Sequence, residues 1–361
     1  MPGDLLSHHF NREAANVLGA PADSEEVRTF AATTTRFVIE AVRQAAGGRP
    51  VVYALGNEDA ACGDYAIVPN GAYLTEVGQA VKAAAGPDFL HPSFDRTFTA
   101  GGWYAMRHPG LRRGTIVVLN TVLWSSRYHD RCGTGGEAAA LEQLAFLRAA
   151  LGEARERGEK VWLVAHIPPG IDSHGSAART DACQRQPVMY LREEYQAELL
   201  ELLQEHAPTI TAILYGHVHK DGYRAFAGGD AGPAFAKIIP SIAPTFGNNP
   251  AMQQMAYDDA GRLTGLTTWR LDLSAKRDAW SEEYVFSEAY GVPLGPEAVQ
   301  AIAEAAQAGR NDAAVQRFAE YYPTGHDAPT GRDLKAIACA VDRLAASDFM
   351  TCLCGSEDVA N

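Results

Sequence analysis

Short apolar runs alternate with amphipathic stretches along the first two-thirds of the chain. These runs are rich in Val, Ile and Leu and are too short for helices, so they predict buried strands. A half-exposed strand is also predicted at 264–273. The predicted buried strands are residues 51–55, 115–119, 161–165, 210–215 and 235–239.

Helical patterns lie between the predicted strands. Asp23, with Glu26 three positions later, predicts a capping box that opens a helix ending near Gly47. Residues 137–157 place leucines on one stripe of a second helix, and residues 189–206 repeat that pattern. This alternation of strands and helices predicts an α/β domain built in layers.

The pattern changes after residue 274, where Ala-rich helical segments replace the apolar runs. We therefore expect a catalytic domain over residues 1–274 and a small helical extension over residues 275–361. A chain of 361 residues is long enough for one large domain with such an appendage.

The net charge of the chain excludes some classes of binding partner. With 44 acidic and 31 basic residues, the net charge is −13, which repels nucleic-acid backbones and anionic membranes. Nucleic-acid polymers are therefore not expected as partners. No apolar stretch reaches the roughly 18 residues of a membrane span, so we expect no transmembrane segment.

Polar residues follow three of the predicted strands directly. Asn57 follows the first, His166 follows another, and a Gly-His-x-His motif places His217 and His219 after residues 210–215. Loops beyond the carboxyl ends of such strands form the ligand crevice of layered α/β proteins. With the carboxylate of Asp4, these side chains suit zinc, manganese or iron. Singly each motif is also typical of an ordinary turn or a buried histidine, but the set favours a metal site.

The order Gly-Asp, Gly-Asn, His, Gly-His-x-His resembles the calcineurin-like metallophosphoesterases, and more narrowly the acid sphingomyelinase-like phosphodiesterases. The resemblance runs from residue 3 to about residue 273 and implies a layered metallophosphoesterase fold, with central β-sheets flanked by helices. Further similar motifs are CGDY at 62–65, GGWY at 101–104, LNT at 119–121, AHIPPG at 165–170 and NP at 249–250.

The resemblance also implies the ligands of two divalent metal ions, with zinc expected and manganese or iron as alternatives. Asp4 would bridge the two ions, and His219 would bind the second. The remaining ligands of the first ion would be Asn57, His166 and His217.

Three further residues are implied to act on the substrate. His8 stands where the family places a histidine that contacts the scissile phosphate or protonates the leaving group; capping of the following helix is its alternative. Glu58 takes a catalytic position where the family usually has His or Asn, and a carboxylate there repels a phosphate unless it is protonated or paired. Asn249 is implied to bind substrate, with a simple turn as its alternative.

One family motif is absent: no Asp-x-His precedes Gly3-Asp4. The Asn57 side then keeps four protein ligands and the His219 side keeps two. We therefore expect a chain that holds only one ion, with the second site weak or empty. We also expect that Met1 lies inside a longer natural chain with a signal peptide, and that the protein is secreted or periplasmic.

The expected function is hydrolysis of a phosphodiester by attack of metal-bound hydroxide on phosphorus. The substrate would be a small molecule or a lipid, such as a nucleotide or a phosphocholine lipid. A phosphomonoesterase or nucleotide phosphohydrolase is the enzymatic alternative, and a truncated, non-catalytic metal-binding remnant is the other. The sequence does not indicate an oligomeric state.

Six cysteines are compatible with disulfides in an oxidising compartment. Cys132 follows the strand at 115–119, and Cys183 follows the loop that carries His166. We therefore expect these two cysteines to lie near one rim and to pair, with two thiols in a cytosolic protein as the alternative.

Overall fold

The computed structural model describes residues 1–177, 182–226, 232, 234–275 and 279–355. The chain divides into two units, Met1–Ile167 and Pro168–Asn361. Among the residues that the structure describes, no helix is both long enough and apolar enough to cross a membrane.

The helices of the first unit surround a buried apolar core. The helix that the capping box predicts has its N-cap one residue later than predicted, because the Ser24 side chain rather than that of Asp23 accepts the hydrogen bond from the Val27 amide. The helices are α1 (Phe10–Leu18), α2 (Glu25–Ala45), α3 (Ala72–Ala85), α4 (Phe94–Gly101) and α5 (Gly136–Arg157), with 3₁₀ turns at Pro87–Phe89 and Thr121–Trp124.

The strands of the first unit are β1 (Tyr104–Arg107), β2 (Gly114–Val118) and β3 (Lys160–Val164). β2 pairs antiparallel with β1 and parallel with β3. The predicted strands at 115–119 and 161–165 are confirmed within one residue. Because β2 and β3 run in parallel, His166, two residues after β3, lies at the edge of the sheet where both strands end.

The predicted strand at 51–55 is wrong, although these residues are largely buried. The Tyr104 hydroxyl accepts from the Tyr53 amide (3.1 Å) and donates to the Tyr53 carbonyl (2.9 Å). The Tyr104 side chain therefore bonds the backbone amide and carbonyl of Tyr53, which a neighbouring strand would otherwise pair with. On the other side of the segment, the Ala54 amide donates to the Met1 carbonyl at 3.1 Å.

Two groups of strands form the β-structure of the second unit. β6 (Ala234–Ile238) pairs parallel with β4 (Ile210–Tyr215) and antiparallel with β5 (Gly222–Phe226). The predicted strands at 210–215 and 235–239 correspond to β4 and β6. The predicted strand at 264–273 is β8, which pairs antiparallel with two strands that the sequence did not predict. The strands of this second group are β7 (Ala251–Tyr257), β8 (Leu263–Leu271) and β9 (Trp280–Val285).

Helices complete the second unit. The helix predicted from residue 189 begins later, because Met189 forms an isolated β-bridge with Ile171. The helices are α6 (Ser173–Ala177), α7 (Glu193–Glu205), α8 (Phe286–Tyr290), α9 (Pro296–Gln307), α10 (Ala313–Tyr321), α11 (Gly331–Asp342) and α12 (Ala346–Cys354). Parallel strands combined with helices confirm the predicted α/β class.

The predicted C-terminal extension packs within the second unit. α11 contacts α6, α9 and β5, and Ala336 and Phe349 are buried with Ile171 in one apolar cluster. The helical residues after 274 therefore share a core with residues that precede them. The domain boundary between residues 274 and 275 stays a prediction.

All six cysteines are paired, but not as predicted. Cys132 bonds to Cys62, and the remaining disulfides are Cys183–Cys354 and Cys339–Cys352. The predicted Cys132–Cys183 pair is wrong because the loop of Cys132 lies against residues 62–67: the Tyr128 hydroxyl donates to the Ile67 carbonyl at 3.0 Å. The prediction of disulfides as such agrees with the structure.

Candidate metal centre

A buried carboxylate fixes the loop that carries Asp4. The Asp59 side chain is fully buried and accepts hydrogen bonds from four backbone amides: Asp4 (2.7 Å), Leu5 (2.8 Å), Gly56 (2.8 Å) and Leu6 (3.3 Å). Burial and the nearby Asp4 charge raise the pKa of Asp59. Asp59 therefore joins the Gly-Asp and Gly-Asn motifs, which lie more than fifty positions apart in sequence.

Asp4 lies where these two motifs meet. Its φ of 57° is left-handed, a conformation that a non-glycine residue adopts uncommonly and often at functional sites. Its Oδ1 accepts from the Glu58 amide at 2.9 Å. A Cβ on Gly56 would collide with the Asp4 carboxylate and backbone, so glycine is required at position 56 for the two loops to approach this closely.

His166 brings its ring against Asp4 and Asn57. The ring is buried, and its Nε2 lies 3.0 Å from Asp4 Oδ2 and 3.1 Å from Asn57 Oδ1. Its Nδ1 is hydrogen-bonded to the Pro2 carbonyl. Because a carbonyl only accepts, Nδ1 carries the proton, and a neutral His166 presents the lone pair of Nε2 to the two oxygens.

The orientation of Asn57 is set by Asp64. Asn57 Nδ2 donates to Asp64 Oδ1 at 2.7 Å, which leaves Asn57 Oδ1 directed at His166. A carboxylate oxygen, an amide oxygen and an imidazole nitrogen thus converge. Burial lowers the pKa of His166, but the charge and hydrogen bond of Asp4 outweigh it and raise that pKa, so a protonated ring would pair with Asp4 through Nε2. When the ring is neutral, the three groups are all acceptors, which repel one another unless a cation lies among them. An Nδ1–H donated to a carbonyl is also the usual arrangement of a metal-bound histidine. These residues therefore fit a divalent metal ion.

His8 and Glu58 form a pair beside this cluster. His8 Nδ1 lies 2.6 Å from Glu58 Oε1, and the Glu58 side chain is 3% exposed. Burial raises the pKa of Glu58, and the hydrogen bond to Glu58 raises the pKa of His8. The unusual carboxylate at position 58 thus has a basic partner within the protein. Side-chain capping by the His8–His9 pair is not observed, since His9 at the N-cap of α1 makes no such bond.

The Gly-His-x-His motif lies in the second unit, directly after β4. His217 and His219 both have left-handed backbones, with φ of 69° and 64°. The ring of His217 packs edge-on against Tyr190 and that of His219 against Phe246. The Thr245 hydroxyl lies 3.4 Å from His219 Nδ1. Convergence of these two histidines with Asp4 and His166 stays a prediction.

Asn249 joins three segments of the second unit. Its Nδ2 donates to the Thr324 carbonyl at 2.9 Å, and its Oδ1 accepts from the Leu273 amide at 3.1 Å. The side chain is buried. These bonds reach segments far away in sequence, and the predicted contact with substrate stays a prediction, as does its alternative, a simple turn.

Sequence reasoning assigned no role to two residues of this centre. Asp59 positions Asp4, and Asp64 orients Asn57. Both lie within motifs that carried the resemblance, GNED and CGDY, so their position in those motifs was the available signal. Their functions depend on contacts with other segments and were not visible in the local sequence.

The first unit thus contains an α/β core with a candidate divalent-metal site at the edge where parallel strands end. No protein-family model matches the chain. Acid sphingomyelinase-like phosphodiesterase 3b of Mus musculus is 29% identical over 276 residues, covering 72% of this chain and 58% of that protein. Cyclic GMP-AMP phosphodiesterase SMPDL3A of Homo sapiens is 25% identical over 224 residues, covering 58% of this chain and 46% of that protein.

The chain therefore spans about half the length of the curated relatives that it matches. A solved dimetal phosphatase from Danio rerio has a TM-score of 0.38 and 13% identity, covering 74% of this chain and 76% of that one, which is too weak a likeness to carry an argument. The relatives confirm the predicted resemblance: the chain is similar to calcineurin-like metallophosphoesterases of the acid sphingomyelinase-like type.

Proposed function

We propose that this protein is a metal-dependent phosphodiesterase of the sphingomyelinase-like type. The observation that carries the proposal is the convergence of Asp4 Oδ2 and Asn57 Oδ1 on Nε2 of the buried His166. The similar proteins are named phosphodiesterases, which supports the same reaction class.

The proposed metal centre extends beyond the first unit. Asp4, Asn57 and His166 would hold one divalent ion together with His217, and His219 would bind a second, weaker ion. The nitrogen and oxygen donors support zinc, with manganese or iron as alternatives. The catalytic domain would comprise residues 1–274, and residues 275–361 would form its helical extension.

The chain's own residues suggest how a phosphodiester is handled. Bound divalent ions would supply Lewis-acid polarisation of the phosphoryl oxygens. His8 would donate a proton from Nε2 to the leaving-group oxygen. Glu58 holds His8 Nδ1, and this would keep the ring oriented and stabilise its charged form. Asp59 would keep Asp4 in place through backbone hydrogen bonds, without contacting substrate.

The substrate is proposed to be a small-molecule or lipid phosphodiester rather than a nucleic-acid polymer. The net charge of −13 argues against polymers. We also propose a secreted or periplasmic location. Three disulfides, which together use every cysteine of the chain, support an oxidising compartment.

Turnover of bis-p-nitrophenyl phosphate, measured with metal content, tests the proposal. We expect zinc-loaded protein to release p-nitrophenol, and His166→Ala to lose both bound metal and activity. The matched control is His91→Ala, since His91 is exposed and its side chain bonds to the neighbouring Ser93. A protein that binds zinc through His166 but hydrolyses no phosphodiester would support the metal-binding remnant instead.

A further inference from the structure

A basic cavity lies in the first unit beside the candidate metal centre. Its volume is about 790 Å³, within the roughly 300–1,000 Å³ of small-molecule sites. It borders the Asn57 cluster, because Asp64, which bonds Asn57, is part of its wall. We call it the arginine cavity after its four arginines: Arg12, Arg28, Arg127 and Arg131.

The charge of this cavity is opposite to that of the chain. Its wall carries four arginines but only two carboxylates, those of Asp23 and Asp64, in a protein of net charge −13. Within the described part of the chain, the guanidinium groups of Arg28 and Arg131 take part in no ion pair. Arg12 pairs with Glu13 at 3.1 Å, so the positive charge without an internal counter-charge lies on Arg28 and Arg131.

Two buried nitrogens in residues of the wall also lack partners. Arg28 Nε and His129 Nδ1 are buried, and neither has a hydrogen-bond partner among the described residues. A guanidinium N–H can only donate, so Arg28 lacks an acceptor. These two nitrogens are covered by protein, whereas Arg12, Arg127 and Arg131 are exposed. An oxygen-rich anion in the cavity would supply acceptors and negative charge to these exposed guanidinium groups.

A disulfide and an arginine–aromatic contact stabilise part of the cavity wall. The Cys62–Cys132 disulfide joins the two segments that contribute most of it. The Arg127 guanidinium lies over the Tyr65 ring, 5.9 Å from its centre, and Tyr65 is buried. Because the disulfide fixes the segments at 62 and 132, and the ring contact holds Arg127, less ordering entropy would be lost there on binding.

We propose that the arginine cavity binds a second phosphate, carried on a substituent of the phosphodiester substrate. This inference rests on the proposed function and specifies its substrate class. Arginine suits the task because its planar fork matches phosphate oxygens in pairs. The phosphodiester at the metal centre and the phosphate in the arginine cavity would then be bound together.

Two substrates that differ by one phosphate test the proposal. They are thymidine 5′-(p-nitrophenyl phosphate) and the same compound with a 3′-phosphate. We expect wild-type kcat/KM to favour the second substrate by about tenfold, as a charged hydrogen bond allows. The double variant Arg127→Gln/Arg131→Gln should lose that preference, because its KM for the substrate with the 3′-phosphate should rise. Arg112 is an exposed arginine outside the cavity, so Arg112→Gln should keep the preference.

Equal kcat/KM for the two substrates, or a preference that survives the double variant, would overturn the inference and leave the proposed function standing. If neither substrate is hydrolysed, equilibrium dialysis still decides. Thymidine 3′,5′-bisphosphate should then bind the wild-type protein about tenfold more tightly than thymidine 5′-monophosphate does. Equal affinities would reject the cavity as a phosphate site.

Discussion

Removing the Asp59 carboxylate is the sharpest test of how this site is assembled. Asp59→Ala leaves four amides without their shared acceptor, those of Asp4, Leu5, Leu6 and Gly56. Hydrogen bonds to a charged group contribute about 1.5–3 kcal/mol each. Since such losses are not additive and single substitutions rarely exceed about 4–5 kcal/mol, we expect the free energy of unfolding to fall by about 4 kcal/mol.

Urea denaturation measures that loss, and hydrogen exchange shows where it occurs. The amides of residues 4, 5 and 56 should lose protection, because they donate to Asp59. Asp59→Asn should cost less, since its remaining oxygen can still accept from Leu5. Asp95→Ala is the matched control: Asp95 is 63% exposed in an ion pair with Lys82, and such surface pairs contribute little. A loss no larger than that of the control would refute the reasoning.

Two further predictions concern stability. Burial raises the pKa of Glu283 from 4.5 to about 8, so the folded state holds this proton more tightly than the unfolded state. Wild-type stability should therefore fall as pH rises from 4.5 towards 8, and Glu283→Gln should remove that part of the fall in pH-dependent denaturation. Mass spectrometry of unreduced peptides should find Cys62 linked to Cys132, and Cys62→Ser/Cys132→Ser should lower stability by about 2–5 kcal/mol; a Cys132–Cys183 peptide would contradict the structure.

Of the five strands that the sequence predicted correctly, β8 is the half-exposed one, and the other four have apolar runs that reflect burial. β2, β3, β4 and β6 are of this kind, and each contains or ends in consecutive buried residues. β7 and β9 were missed because they expose many of their side chains and contain polar residues. β1 and β5 were also missed although most of their residues are buried, because arginine interrupts or ends their short apolar runs. Residues 51–55 were assigned wrongly because apolar sequence reports burial, whereas a strand also needs a neighbouring backbone, and Tyr104 takes that place.

Motif spacing predicted which side chains form the site, but not which other residues hold those side chains in place. Asp4, Asn57 and His166 were predicted as ligands, and the structure brings these three together. The proton position on His166 could not be predicted, because it depends on the Pro2 carbonyl, 164 positions away in sequence. The disulfide partner of Cys132 is a similar case, since pairing depends on which loops the fold brings together.

Glu58 shows how a local departure from a family pattern can be compensated by a distant contact. Without a partner, the Glu58 carboxylate beside Asn57 would repel a phosphate. In the structure it is buried against His8 Nδ1, so its charge would be balanced by a protonated imidazole. The same contact orients the residue that we propose as the acid. Glu58 departs from the family pattern in sequence. Its contact with His8 nevertheless gives a physical reason to expect that His8 is held in place to transfer a proton.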